Sequence, residues 1–281
     1  PETGRLTGNI AMLPTATRED TMDMLRELDR ATLSVAKAFE AEHGANPLTY
    51  VLLQVGGNSG RGLSGSEIKD PDQLGSISVE LIDADLRDYS SYAFVGALQG
   101  EVRRHPLLET LSFRNWTSGP GSDSISISLF GSDLVNLKAA SESLIGKLSS
   151  FSEISGLEDN QAYDKDELIL QLKPKGNSLG FSIDKVGTEL YQRLNGIEAA
   201  SFLDGTRTSK ILVGLPKESL EADFIEKTHL RSPNGTYVKL SDIVSVSSKF
   251  GFSSISRENG QRLITVSGDL SEDDPEQASF I

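Results

Sequence analysis

Between Arg5 and Phe113 the apolar pattern switches back and forth between a period near two and a period near 3.6, and that succession admits few folds. Arg5–Leu13 reads as a strand closed by Pro14. Thr17, with Asp20 three residues on, reads as a helix N-cap. Met22, Leu25, Leu28, Thr32, Val35 and Phe39 then recur at spacings of three and four, one apolar face of a long helix ending near Gly44. Leu48–Val55 is the next strand. In Ser76–Ile82, Ile77, Val79 and Leu81 alternate with Ser78 and Glu80, a half-buried strand. Ser90 or Ser91 caps a second helix carrying Val95, Leu98 and Val102, which Pro106 stops before the strand Leu107–Phe113. The order βαββαβ predicts a ferredoxin-like unit.

The two middle strands are joined by Gly56-Gly57-Asn58-Ser59-Gly60-Arg61-Gly62-Leu63-Ser64-Gly65, with five glycines in ten positions. Such a run leaves the backbone free to take positive φ and predicts a mobile or unusually shaped loop beside a cleft. A phosphate cradle would carry Lys-Ser/Thr and open a helix directly; this loop does neither.

A Gly/Pro/Ser stretch at Trp116–Ser122 predicts a boundary, and a second unit then begins the same way. Ile125, Ile127 and Leu129 alternate with serines. Gly131-Ser132-Asp133 caps a helix with Leu134, Leu137, Ala140, Leu144 and Leu148 on one side, and Leu157–Tyr163 is strand-like. Leu168, Leu170 and Leu172 alternate, and there the repeat breaks. From Pro174 to about Lys249 the texture changes. Ser182 caps a short helix, Asp204-Gly205 marks a hairpin, and Pro233-Asn234-Gly235 a second tight turn. Ile255–Glu258 and Arg262–Gly268 resume strand character, and Pro275–Ala278 opens a closing helix. The fold expected is α+β: two ferredoxin-like units with a small α+β domain inserted in the second, which is short of a helix and a strand. The boundaries fall at residues 1–119, 120–173, 174–250 and 251–281. A start at Pro1 without Met, and a stop at Ile281 as a helix opens, read as a segment of something longer.

A formal net charge of −14 lacks the positive field of a general nucleic-acid binder, and the absence of cysteine removes disulfides and thiolate metal sites. No apolar run reaches the roughly 20 residues that span a bilayer. His43, His105 and His229 are far apart and show no ligand spacing; Met12, Met22 and Met24 read as packing residues. No catalytic constellation emerges, so neither an enzyme nor a cofactor is expected.

Several dispersed motifs share one order. Ser124–Leu134, with Gly131, Asp133 and Leu134 closing it, is similar to the opening of a porter subdomain in resistance-nodulation-division (RND) efflux pumps. Gly156-Leu157-Glu158-Asp159 followed by Glu167–Leu172 resembles that family's run into its docking domain. Leu179-Gly180-Phe181-Ser182, Val238–Ile243 and Arg257-Glu258-Asn259-Gly260-Gln261 resemble that domain's helix start, a following element and the turn back to the porter. The resemblance covers essentially the whole chain and fits the second periplasmic loop of an acriflavine-resistance, hydrophobe-amphiphile exporter type. Gly60-Arg61-Gly62 then resembles the switch loop between two drug pockets. The family carries bulky aromatics just before it, where this chain has Gly56 and Asn58, which predicts a softer loop. The resemblance also makes Gly119 and Gly121 hinge positions.

What the resemblance implies is a part in proton-driven efflux: capture of amphiphilic compounds between porter subdomains, on the periplasmic face of a Gram-negative inner membrane. The implied partners are a periplasmic adaptor protein and an outer-membrane channel, with a homotrimer in the full-length parent and no nucleic acid. The implied ligand-side residues are Gly57, Asn58, Gly60, Arg61, Gly62, Phe113 and Trp116. For Phe113 and Trp116 core burial is the competing reading, and for Arg61 a solvated loop position. The alternatives are a stand-alone ferredoxin-like binding or regulatory module, a metal-exporting RND relative with Met/His-rich cleft positions, and, more remotely, an acylphosphatase-type enzyme.

Overall fold

The computed structural model describes residues 2–117, 124–164, 167–205, 207–215, 224–249, 251–252 and 254–273. Two compact units emerge, Pro1–Lys165 with Phe250–Ile281, and Asp166–Lys249. The hinge positions Gly119 and Gly121 and the helix start Pro275–Ala278 lie outside the described residues.

The first unit opens with β1 (Glu2–Met12), α1 (Arg18–His43), β2 (Leu48–Val55), β3 (Leu74–Leu81), α2 (Ser91–Glu101) and β4 (Leu108–Thr117). Its sheet runs β2-β3-β1-β4, all antiparallel, the ferredoxin-like order expected from sequence. Thr17 and Asp20 form a reciprocal capping box on α1: Asp20 N donates to Thr17 Oγ1 at 3.3 Å and Thr17 N to Asp20 Oδ2 at 2.8 Å. We expect Thr17→Ala to cost about 1 kcal/mol, read as a lower urea midpoint for the first unit with no change in m-value. The buried stripe of α1 is Met24, Leu25, Leu28, Ala31, Thr32, Val35 and Ala36, so Met24 rather than Met22 faces the core. With α2 it covers the sheet face carrying Leu6, Ile10, Ile77, Val79 and Phe113.

The same unit continues with β5 (Ile125–Gly131), α3 (Leu134–Leu148) and β6 (Ile154–Asp159). In the second unit follow β7 (Glu167–Leu172), α4 (Pro174–Ser178), α5 (Ile183–Asn195), β8 (Ile197–Asp204), β9 (Arg207–Val213), α6 (Phe224–Lys227), β10 (His229–Arg231), β11 (Tyr237–Lys239), α7 (Leu240–Ile243) and β12 (Val244–Lys249). The chain returns to the first unit with β13 (Arg257–Glu258) and β14 (Gln261–Leu270). β14 is central, with β5 along one edge and β13 and β6 along the other. Among the described residues this matches the first sheet's arrangement of β1, β2 and β3 with its first helix. The strand expected at Leu157–Tyr163 lies instead at Ile154–Asp159: Leu270 pairs with Ile154 at one end, and Lys138 of α3 captures Asp159 at the other.

The second unit gathers Phe181, Val186, Leu190, Leu230, Leu240, Ile243 and Val244 into its own core, beside the pair β7–β12. The hairpin β8–β9 turns at Asp204-Gly205, as expected, and leaves Leu203, Leu212 and Val213 exposed.

Candidate functional site

Strand parity puts a polar row on the face of the first sheet opposite the helices. Asn9 lies in register with Ser76 and Ser112, and Thr7 with Ser78 and Arg114. Thr7, Asn9, Ser76 and Ser112 are nevertheless buried. Buried polar groups require partners, and the glycine segment supplies several of them. Asn9 Nδ2 donates to the carbonyls of Ser59 and Arg61, both at 2.9 Å, and Ser59 N donates to Asn9 Oδ1 at 2.9 Å. Asn58 Nδ2 donates to the carbonyls of Ile10 and Gly75, and Leu63 N donates to Asn58 Oδ1 at 3.1 Å. Ser59 and Ser76 hydroxyls meet at 2.7 Å, and Leu63 packs with Ala11 and Leu74.

The segment is therefore a strap laid across the sheet: of the two expectations, the unusual shape is met, with Gly56, Gly60 and Gly65 at positive φ, and the softer, mobile loop gives way to one fastened by hydrogen bonds. Asn58, one of the two residues standing where the resemblance implies aromatics, is one of its two asparagine anchors. The other, Asn9, carries no signal in the sequence beyond being an amide in a strand.

Trp116 stands at the edge of this face. Its Nε1 donates to Thr7 Oγ1 at 2.8 Å, and the residue is 48% exposed. Gly60 lies beside the ring, where a Cβ would meet Trp116 Cζ2 at van der Waals distance, 3.4 Å, and its φ of +61° favours glycine. Across the same face, Leu52 shares a register row with Ser78 and Tyr50 one with Glu80, and both are half-exposed. Trp116 at the β4 edge and Leu52 and Tyr50 at the β2 edge thus border a shelf whose floor carries the Thr7 and Ser78 hydroxyls and the Arg5–Glu80 ion pair, with the strap beside Trp116.

Of the residues expected at a ligand, Gly60 and Trp116 meet here. Asn58 is turned down into the sheet. Gly57 sits at the turn out of β2 near Gln54, and Gly62 packs on Asn58 and Ser66. Arg61 is exposed, its carbonyl held by Asn9. Phe113 is corrected: it is 1% exposed on the helix side of the sheet, because it has the parity of Leu111 and not of Arg114. Leu52 and Tyr50 were missed, because the run Tyr50-Val51-Leu52-Leu53 is apolar throughout and carries no period-two signal of which face is exposed.

Where the two ferredoxin-like halves of the first unit meet, the joint is ionic. Arg114 donates to Glu158 Oε1 at 3.0 Å, Asp269 Oδ2 at 2.8 Å and the Gly156 carbonyl at 3.0 Å. Lys69 and Glu109 form a buried ion pair, and Tyr163 N donates to Glu109 Oε1 at 2.6 Å. Burial pushes the Glu109 carboxyl above its ordinary range, against the pull of Lys69. Burial and the adjacent Glu142 raise the Tyr163 phenol as well. A cleft of about 530 Å³ lies beside the joint, lined by Tyr92, Ala93, Gly96 and Ala97 of α2 and by Ser152, Glu153, Ser271 and Asp273. Among the described residues no group of three or more His, Cys, Asp and Glu is arranged to hold a metal. His43 contacts Asp88 at 2.7 Å, and His105 lies 3.7 Å from Asp20.

The chain thus consists of two ferredoxin-like halves, the second interrupted by an α+β insertion. Residues 11–278 match the model of the AcrB/AcrD/AcrF family, and the chain belongs to that family of RND efflux proteins. It is similar to the cobalt-zinc-cadmium resistance protein CzcA of Cupriavidus metallidurans and to the cation efflux system protein CzcA of an Alcaligenes species. Both are 24% identical over 167 residues, covering 57% of this chain and 16% of the relative. Two crystal forms of a heavy metal efflux pump share its fold, with TM-scores of 0.69 and 0.68 at 16% identity, covering 98% and 99% of this chain and 28% of the pump chain. The chain therefore spans a minor part of the proteins it resembles.

Proposed function

We propose that this chain is the substrate-capture and docking portion of a proton-driven RND exporter and that its cargo is amphiphilic organic molecules. The observation that carries this reading is the shelf: a half-exposed indole anchored by Thr7 at one edge of the sheet and half-exposed Leu52 and Tyr50 at the other, in a strongly acidic chain. Exposed aromatic and aliphatic side chains at the borders of a polar, hydrogen-bonding floor suit amphiphiles, and the negative net charge suits cationic ones. On this reading residues 1–119 form one porter subdomain, 120–173 with 251–281 a second, and 174–250 the inserted docking domain. The parent works as a homotrimer with an adaptor protein and an outer-membrane channel, on the periplasmic side of an inner membrane. No reaction is assigned to the chain itself.

A second reading takes cobalt, zinc or cadmium ions as cargo, and the names of the CzcA relatives favour it. One titration separates the two. Trp116 is the only tryptophan, so its emission reports the shelf. A cationic amphiphilic dye should quench it saturably, with affinity at least threefold weaker in Leu52→Ala. Saturable binding of Zn²⁺ or Co²⁺ by calorimetry, with no response to the dye, would replace the organic reading by the metal one.

A further inference from the structure

We infer that the strap Gly56–Lys69 is a mechanical link that reports the state of the joint between the two halves to the shelf, with Glu158 as the tie. Its near end is held to the first sheet by Asn9 and Asn58. Its far end is held to the other half: Ser64 N donates to Glu158 Oε2 at 2.9 Å, and Gly65, at φ +77°, crosses so near Ala162 that a Cβ there would lie 2.5 Å from Ala162 Cβ. Lys69 then donates to both the Met12 carbonyl at 3.2 Å and the Tyr163 carbonyl at 3.0 Å, one from each half.

Between the two attachments there is no slack. Leu63 N on Asn58 Oδ1 closes residues 58–63 into one hydrogen-bonded turn, and Leu63 itself is buried against the sheet. Ser64 follows directly. A movement of β6 away from β4 must therefore either break the Ser64–Glu158 bond or pull on Leu63, and through it on Asn58. Glu158 also meets, on the same face of the sheet, the strand that carries the indole. It accepts from Arg114, the register partner of Thr7, and Thr7 accepts from Trp116. One buried carboxylate thus contacts the strap and the strand that carries the indole. Bonds from a carboxylate to an N–H and to a guanidinium are charge-assisted, stronger and shorter than neutral ones. Glu158 is a positioning residue on this account: it acts on the shelf through Ser64 and Arg114. The inference holds whichever cargo the shelf takes.

The test is amide hydrogen exchange on the full 281-residue chain. The reporters are the Ser59, Leu63 and Ser64 amides, bonded to Asn9, Asn58 and Glu158 respectively. In Glu158→Ala all three should exchange at least tenfold faster, while amides in the β1–β3 ladder keep their protection, and Trp116 emission should shift red. Glu158→Gln keeps an acceptor for Ser64 N and should restore the Ser59 and Leu63 protection while losing the ion pair to Arg114. Faster exchange confined to Ser64 and β6, with Ser59 and Leu63 unchanged, would overturn the link. The unmodified chain gives an independent readout should Glu158→Ala fail to fold. In sub-denaturing urea the three amides should open with one shared denaturant dependence; separate dependences would show that strap and joint move independently.

Discussion

Replacing Lys69 by methionine should lower the stability of the first unit by about 3–5 kcal/mol, and the loss should be larger at pH 8 than at pH 5. The Lys69 and Glu109 side chains are 2% and 3% exposed, so removing the ammonium strands a carboxylate in a site that already pushes its protonation range upward. The sign follows from that direction. With the folded-state value raised above the unfolded one, the protonated carboxyl is the form the fold favours. The fold keeps its stability below the unfolded value and loses it as pH rises through the folded one. In Lys69→Met nothing opposes that rise, so the variant should recover part of its stability on acidification. Urea unfolding followed by Trp116 emission at the two pH values measures this. The double variant Lys69→Met/Glu109→Leu should regain most of the loss, because it removes the stranded charge along with its partner. A pH-independent loss, or no recovery in the double variant, would show that Lys69 acts only through its bonds to the Met12 and Tyr163 carbonyls.

Phe113→Ala should cost about 3–5 kcal/mol and leave the dye affinity of the folded protein unchanged. The ring fills the space opposite Gly8, whose added Cβ would lie 2.6 Å from Phe113 Cε1 and 2.8 Å from Ile77 Cγ2. Gly8→Ala should therefore also destabilise, by about 1–3 kcal/mol from overpacking. The two changes should be non-additive, since a smaller residue at 113 makes room for the new methyl. Chemical unfolding gives the stabilities and Trp116 titration the affinities. A weakened dye affinity in Phe113→Ala, with stability near that of the parent, would return Phe113 to the ligand site.

Helix caps and strand order were legible because their determinants lie within a few residues of each other. Thr17 with Asp20, Ser90, Asp133 and Ser182 all cap the helices that their spacing announced. The hairpin at Asp204-Gly205 and the order βαββαβ are of the same kind. The inward register of α1 was less legible. Met22 and Met24 both fit an apolar stripe, and only docking against the sheet selects Met24.

By itself, then, the sequence determined that the chain is α+β, that its first unit is ferredoxin-like, and that a glycine-rich segment joins two strands of one sheet. It also carried, in Gly131-Ser132-Asp133-Leu134 and Gly156-Leu157-Glu158-Asp159, the family to which the chain belongs. Only the tertiary structure decided that the glycine segment is a fastened strap, that Trp116 rather than Phe113 faces solvent, and that the halves meet through Lys69–Glu109 and Arg114–Glu158. The physical reason is separation. Asn9 and Ser59 lie 50 residues apart, and Ser64 and Glu158 lie 94 apart. A hydrogen bond between such partners leaves no period or spacing in the chain, and exists only once packing has removed the water that would otherwise satisfy both groups.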